Sequence, residues 1–464
     1  MSKPAKKSAL QTLDAKSIQV LSELVGRATL ASSMGLQYGG DRDVYQALGY
    51  KTVLDYADYA SYYSRLDIAA AVINRPVDAT WRGGFELLES DDDKETPLEK
   101  TFSDLYDRLA LHSKFARLDR LVSLGKYGLL LLGLSDVRNI EQFATPVVTS
   151  ATLKLLWVKP FGEGSAPTTT IEYEGDPTNE RYGFPKTYVI TVINTVDGSS
   201  QIIRVHHSRV IHVADGLLES EIEGTPRLQV VFNRLMDLEK LVGASAEMFW
   251  RGARPGYQGK VDKDYTVTQT TRDDLQTQID EFEHNLRRML LNEGITWDAL
   301  APQVSDPEKH VLVQLQMISA ASYIPLRILL GSEIGQLASE QDRNNWLDYI
   351  NGRRSEKAES LIILPFTDRG IKQGWLPAPD VEYSVKWKPL WEQSDKEKAE
   401  VGNIRATAIK SYASAPGAEL VVPPTSFRKI CLGLSDEENE LVEEELKAAM
   451  AEEALLPEDE LETA

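Results

Sequence analysis

Six histidines are the side chains best suited to moving protons near neutral pH, and only His206-His207-Ser208 sets one of them in a reactive spacing. Two-histidine phosphoester chemistry needs two H-x-[ST] pairs face to face, one imidazole taking the nucleophile's proton while the other protonates the leaving oxygen. The other histidines are followed two positions on by Lys114, Ala214, Leu286, Leu312 and Arg209, so one half of that constellation is missing. His206 and His207 are then expected to pack or hydrogen-bond at a strand end. No histidine spacing suits a metal, and the single Cys431 supplies neither a thiolate cluster nor an intrachain disulfide. It points to a reducing compartment. The patterns G-x-x-x-x-G-K-[ST], H-E-x-x-H and G-x-S-x-G are absent, so the expectation is no catalytic residue, no cofactor and no metal.

Binding chemistry is bounded by charge. The chain of 464 residues has a formal net charge of −20, but residues 435–464 hold thirteen acidic side chains against Lys447 alone and carry −12 of it. The remaining body is mildly acidic, unsuited to gripping phosphates tightly and compatible with passing contact with nucleic acid. A 42% hydrophobic share is enough for several cores. No uncharged apolar run reaches bilayer length, the densest being residues 127–134, and no membrane contact is expected. Lys3, Lys6 and Lys7 have no apolar core behind them, so the beginning of the chain is not a secretory signal.

The elements that must position any site are clearest around residues 306–354. Asp306 and Pro307 read as N-cap and first helical residue, with Val311, Leu312, Leu315 and Ile318 at helical spacing. Pro325 should end that helix near Tyr323. A loop over 331–338 carries Gly331 and Gly335, and Ser339-x-x-Asp342 then caps a helix with Trp346, Leu347, Ile350, Ala358 and Leu361 on one face, stopped by Pro365. Upstream, residues 57–77 read as one helix, 85–88 as a strand, 98–111 and 115–124 as helices, and 129–132 as a buried strand. Strands are expected over 155–158, 168–173, 187–193, 202–205 and 210–213. A helix over 229–251 carries an apolar stripe of Val231, Leu235, Leu238, Leu241, Val242 and Phe249, with Asn233, Asp237, Lys240, Glu247 and Arg251 opposite. Beyond it come a short strand at 259–262, a charged helix over 272–291 and a return strand at 294–298. The C-terminal part reads as a strand at 381–387, a helix over 396–412, an interrupted linker at 416–424 and an acidic helix over 435–454.

Ile324-Pro325-x-x-Ile328-Leu329-x-Gly331, a small-residue loop, and Ser339-Glu340-x-Asp342-x-Asn344-x-Trp346 resemble the segment of tailed-bacteriophage portal proteins where a stem helix gives way to the channel-lining tunnel loop. Asp78-Ala79-Thr80-Trp81-Arg82-Gly83-Gly84, Gly125-x-x-Gly128 and Ser208-Arg209-Val210-Ile211-His212 resemble the portal wing. The subgroup it most resembles carries an anti-CBASS-like N-terminal domain.

The resemblance implies an α+β portal-like fold with an α/β wing, long stem helices, a small α/β clip and a helical crown. Its parts would be an arm (1–40), wing (41–228), stem helix (229–252), clip (253–305), second stem helix (306–323), tunnel-loop region (324–338), a long helix with the rest of the wing (339–390), and crown with acidic tail (391–464). It further implies a homo-oligomeric ring, usually dodecameric, at one capsid vertex of the virion, assembled in the host cytoplasm. Double-stranded DNA would pass through it without sequence preference, and terminase, major capsid or scaffold, and neck adaptor proteins would dock on it. The tunnel loop would be Ser332, Glu333, Ile334, Gly335, Gln336 and Leu337; the stem Leu235, Leu238, Lys240, Val242, Glu247, Arg251, Leu315 and Ile318; the clip's docking residues Arg254, Tyr257, Lys260 and Lys263. The alternatives are a two-histidine phosphoesterase cleaving cyclic oligonucleotide signals and a minor capsid protein that forms no ring.

Overall fold

The computed structural model describes residues 43–89, 95–150, 152–193, 198–252, 256–263, 268–283, 294–300, 306–331, 336–391, 395–434 and 436–453. The arm expected over 1–40 lies outside them. The chain divides into two compact units, one ending at Lys388 and the other beginning at Pro389.

In the first unit, Asp43 caps α1 (Val44–Leu48), and an Asp55–Asp58 capping box opens α2 (Tyr56–Arg65). Next is α3 (Asp67–Thr80). The single helix expected across this region is corrected: Leu66 is extended (φ −101°, ψ 118°), and the Asp67 carboxylate takes the Ile68 N–H at 2.7 Å, starting a new helix. Gly83 and Gly84, with φ of 82° and 78°, turn the chain into β1 (Phe85–Leu88). Then follow α4 (Pro97–Arg108), opened by a Thr96–Glu99 capping box, and α5 (Leu111–Leu124).

Seven strand segments complete this layer: β1 is followed by β2 (Gly128–Leu134), β3 (Leu155–Gly162), β4 (Glu172–Tyr173), β5 (Pro185–Ile193), β6 (Ser200–His206) and β7 (Val210–Val213). β2 to β7 form two antiparallel sheets, ordered β3-β2-β7 and β4-β5-β6. The strand expected over 168–173 shrinks to β4, because Thr168–Thr170 is a 3-10 turn whose Thr170 hydroxyl donates to the Pro167 carbonyl at 2.8 Å. β2 is buried on both faces. Leu130, Leu132 and Leu134 meet Phe102, Phe115 and Ile211 in one core, while Leu129 and Leu131 meet Tyr188, Ile190 and Val205 in another. An unbroken apolar run is what a strand between two cores requires.

The chain continues through α6 (Phe232–Gly252), β8 (Gly256–Val261), α7 (Gln269–Glu283) and β9 (Ile295–Leu300), with β8 and β9 paired antiparallel. Then come α8 (Glu308–Ser322), α9 (Leu326–Leu330), α10 (Gln336–Arg353), a π-helix (Arg354–Ile363), α11 (Leu364–Gln373) and β10 (Ser384–Trp387). β10 returns to pair antiparallel with β1, Phe85 opposite Trp387. Four expectations are corrected here. Pro307 is the N-cap of α8 rather than its first residue, and Asp306 takes the Glu308 N–H at 3.0 Å. α10 starts at Gln336, so Ser339 lies within the helix and not at its cap. Pro365 does not stop the helical run: it sits in the first turn of α11, where a missing N–H costs little. The preceding π-turns hydrogen-bond i→i+5, so the ring escapes the i−4 carbonyl it would strike in an α-helix. Finally, α7 begins at Gln269, three residues early, while residues 284–291 lie outside the described part.

The second unit contains α12 (Asp395–Ser414), α13 (Ala418–Val421), α14 (Pro424–Ile430) and α15 (Asp436–Glu453). The interrupted linker expected at 416–424 therefore holds a short helix and the start of another. Tyr412 stacks on Phe427 at 4.0 Å, joining α12 to α14.

Candidate channel hinge and stem

The hinge is built by backbone geometry first. α8 ends with Tyr323 in the left-handed region (φ 57°), a conformation costly for an aromatic residue unless its surroundings hold it. Ser319 does part of this: its carbonyl accepts the Ile324 N–H at 3.2 Å, and its hydroxyl donates to the Ile324 carbonyl at 2.7 Å. Ile324 and Leu329 are buried, fixing the break and α9 against the body. Gly331, at φ 73°, ends α9 beside Arg75 of α3, whose guanidinium would lie 3.2 Å from any added Cβ.

Arg227 closes the break from the other side. Its Nη2 donates to the Ser322 carbonyl at 2.8 Å and to the Tyr349 phenol at 2.7 Å. Tyr349 lies between Tyr323 and Trp346, with ring centroids 6.1 and 5.5 Å away and nearly parallel planes. α8 and α10 are thereby tied through one arginine and three rings. Sequence reasoning named Trp346 but missed Arg227 and Tyr349; the aromatic pair at i and i+3 on α10 was the available signal.

Where α10 passes into the π-helix, two arginines are buried. Arg353 forms a fork on Asp119 at 2.8 and 2.5 Å and donates to the Thr80 hydroxyl at 2.7 Å, and Asp119 also accepts the Trp81 indole N–H at 2.8 Å. Arg354 donates to the carbonyls of Thr80, Arg82 and Lys388 and lies 4.7 Å over the Trp387 ring. Burial pushes its guanidinium down to about 10. These contacts lock the helical run below the hinge to the end of α3 and to β10.

The two helices expected as the stem, α6 and α8, pack against each other. Leu235, Leu238, Leu315 and Ile318 are buried, brought together as their spacing predicts. Val242, on the same apolar stripe, is 51% exposed: within this chain the first half of α6 is the better covered. That half is braced by α1 and α2. Lys240 donates to the Leu48 carbonyl and lies 5.1 Å over the Tyr50 ring, so it is drawn to the protein rather than freely displayed. Tyr50 donates to Asp237 at 2.6 Å, and burial followed by that carboxylate pushes its phenol up to about 12. Glu247 is exposed. Arg251 belongs to the last turn of α6.

Of the residues expected in the clip, Tyr257 stands opposite Ala299 in the β8–β9 ladder, and Lys260 is 2.5 Å from Asp298 with both side chains exposed. Lys263 is exposed in the turn after β8, and Arg254 lies outside the described residues. So do Ser332, Glu333, Ile334 and Gly335. Gln336 and Leu337, expected in the loop, are the first two residues of α10.

Among the described residues, His112, His206 and His212 are each engaged locally rather than set face to face as two-histidine chemistry would need. His206 Nδ1 accepts the Ser208 N–H at 3.2 Å and lies 2.9 Å from its hydroxyl, which itself accepts the Val147 N–H at 3.0 Å. His212 is held by the Ile222 carbonyl at 2.8 Å and the Tyr188 phenol at 3.2 Å, and it stacks on Tyr127. His112 meets the Tyr106 phenol at 3.1 Å. Among the described residues, no group of three or more His, Cys, Asp or Glu could hold a metal, and no helix is long and apolar enough to cross a membrane.

The family model for phage portal proteins matches residues 57–411. The chain belongs to that family. The α+β fold, with its hinge between two stem helices and the body, is thus the fold of a portal subunit. Two curated relatives are both described as anti-CBASS protein Acb1. The one from Sphingomonas paeninsulae is 25% identical over 304 residues, 60% of this chain and 46% of the relative. The one from Caulobacter sp. (strain RHG1) is 25% identical over 269 residues, 53% of this chain and 41% of the relative. This portal chain spans less than half the length of either. Similar solved structures include a chain in the neck of the native GTA particle computed with C12 symmetry, at 15% identity and TM-score 0.48, covering 82% of this chain and 94% of that one. Another is an HK97 family phage portal protein from Corynebacterium diphtheriae, at 10% identity and TM-score 0.35, covering 73% and 96%.

Proposed function

We propose that this portal subunit assembles into a ring, usually dodecameric in the family, at one vertex of the phage head, where double-stranded DNA passes through a central channel. One observation beyond family membership supports the ring: the stem helices leave Val242, Phe249 and Trp250 of α6 and Leu312, Val313 and Met317 of α8 exposed. Trp250 is 78% and Met317 55% exposed. Apolar area of this kind on both helices suits burial against copies of the same chain. A heterologous interface that closes then produces a ring.

In this reading residues 332–335, with Gln336 and Leu337 behind them, form the tunnel loop at the bore. Leu235, Leu238, Leu315 and Ile318 hold the stem together, and Lys240, Val242, Glu247 and Arg251 lie along it. Arg254, Tyr257, Lys260 and Lys263 belong to the clip, where terminase and later neck adaptor proteins dock. Capsid or scaffold proteins surround the wing. The subunit performs no catalysis: His206, the one histidine in an H-x-S spacing, is occupied in a local turn, and His212 is held in a core. The particle mass of the purified chain, with negative-stain imaging, tests this proposal. An annular particle of many subunits is the expected outcome; a monodisperse monomer at micromolar concentration and moderate salt overturns it. Hydrolysis of cyclic oligonucleotides by the purified ring would restore the phosphoesterase alternative.

A further inference from the structure

We propose that the basic cup formed by Arg181, His207 and Arg369 at the open end of the β5–β6 ladder binds a phosphate group. The strand pairing places these residues together. Thr187 opposite His206 is the last pair of the ladder, so Pro185, two residues back along β5, and Ser208, two residues past β6, lie at the same end. Arg181 is anchored there by Nη2 on the Pro185 carbonyl at 3.0 Å, with its guanidinium 5.7 Å from the Phe184 ring. Arg369 of α11 is anchored by Nη1 on the carbonyls of His207 and Ser208 at 3.2 and 2.9 Å. The His206 and His207 rings face one another at 4.3 Å.

These anchors are all neutral carbonyls. The neighbouring Arg209 shows the ordinary solution: it is buried and forms a fork on Asp136 at 2.9 and 2.8 Å. Among the described residues, neither Arg181 nor Arg369 has a carboxylate in ion-pair contact. Burial, and then the positive charge of Arg181, push the Arg369 guanidinium below its ordinary value. Both guanidiniums also act on His207, which burial followed by Arg181 pushes down to about 3. The one carboxylate acting on His207, Glu174, is held 3.0 Å from Lys186. Arg181, His207 and Arg369 are each only half-buried, so the cup is open to solvent.

A tetrahedral oxyanion answers each of these features. It offsets two like charges and takes hydrogen bonds from guanidinium N–H groups and from the neutral His207 ring. Guanidinium forks match phosphate geometry better than any other side chain. The phosphate could belong to a free nucleotide or to a nucleic-acid backbone.

The test uses the full-length assembled chain, titrated calorimetrically at constant ionic strength with inorganic phosphate, adenosine monophosphate and a short DNA duplex, against chloride. Saturable binding at one phosphate per chain is expected, with Arg181→Gln weakening it by about tenfold or more, as loss of a charge-assisted pair does. Arg181→Lys keeps the charge but not the fork and should lose less. Phosphate should also raise the melting temperature of the wild type and not of Arg181→Gln. Tighter binding of the nucleotide or of the duplex identifies the source. No saturable heat with any of the three, or equal affinity in wild type, Arg181→Lys and Arg181→Gln, overturns the proposal.

Discussion

Arg353 is the side chain on which the first unit has staked most. It is almost fully buried, and its fork on Asp119 is the only charge neutralising that carboxylate among the contacts described, with Trp81 and Thr80 completing the network. Replacing it with methionine keeps the volume and strands the Asp119 carboxylate in the core. Breaking one partner of such a pair costs about 3–5 kcal/mol. Urea unfolding of Arg353→Met should register a loss of that size. A second residue-scale prediction concerns pH. His206, His207 and His212 are all pushed below the ordinary histidine value, each chiefly by burial, His207 from 6.5 to about 3. A histidine with a depressed folded value binds its proton more readily when unfolded, so the stability it contributes is present above 6.5 and is lost as pH falls from 6.5 toward 3. The melting temperature in a phosphate-free buffer should fall on acidification from pH 7 to pH 5, and His207→Gln should flatten that slope.

At the scale of elements, the joint between α8 and α10 depends on Arg227 reaching both Ser322 and Tyr349. Tyr349→Phe removes the phenol and leaves the ring stack in place. Amide exchange over residues 319–331 should then quicken while the β2 amides stay protected, since local openings draw on local contacts. Much of this joint was legible beforehand. Pro325 announces the break, and Gly331 the left-handed turn that ends α9. The starts of α8 and α10 and the passage through Pro365 were not, for one reason: cap and breaker rules describe isolated helices, and a π-helix ahead of the proline changes which carbonyls stand in its way. The Leu66 break was hidden similarly, because apolar spacing runs on across a single extended residue. In the second half of α6, Val242 and Phe249 of the apolar stripe are exposed, a face whose spacing marks it as apolar without saying what covers it.

For the whole molecule, the ring proposal makes residue 333 a repeated feature of the bore. The loop's one charge is negative and offers phosphates nothing to hold. Glu333→Lys should add a circle of cationic contacts, making DNA retention stronger and more salt-dependent and packaging slower, with particle mass unchanged. Packaging at the wild-type rate by Glu333→Lys particles would count against the channel assignment. The acidic excess at the C-terminus fits the same picture, since a ring that lets DNA slide gains nothing from strong attraction. That much was readable from composition. The Arg227, Arg353 and Arg354 networks were not, because each joins residues more than ninety positions apart.

The pairing of Phe85 with Trp387 also sets a clock. Trp387 completes the aromatic cluster around Trp81 and Phe85, with centroids 5.6 and 5.2 Å away, and Arg354 rests on its ring. β1 therefore leaves the ribosome long before its only partner strand among the described residues is made. At about 5–20 residues per second, the wait is roughly 15–60 s. During that interval the hinge, stem and clip all emerge as parts of a body that has not yet closed, and an edge strand beside an unfinished aromatic core is open to wrong pairings. In the proposed ring, subunits cannot pack by finished surfaces until that ladder forms, so the order of synthesis holds assembly back at least until Trp387 has been made.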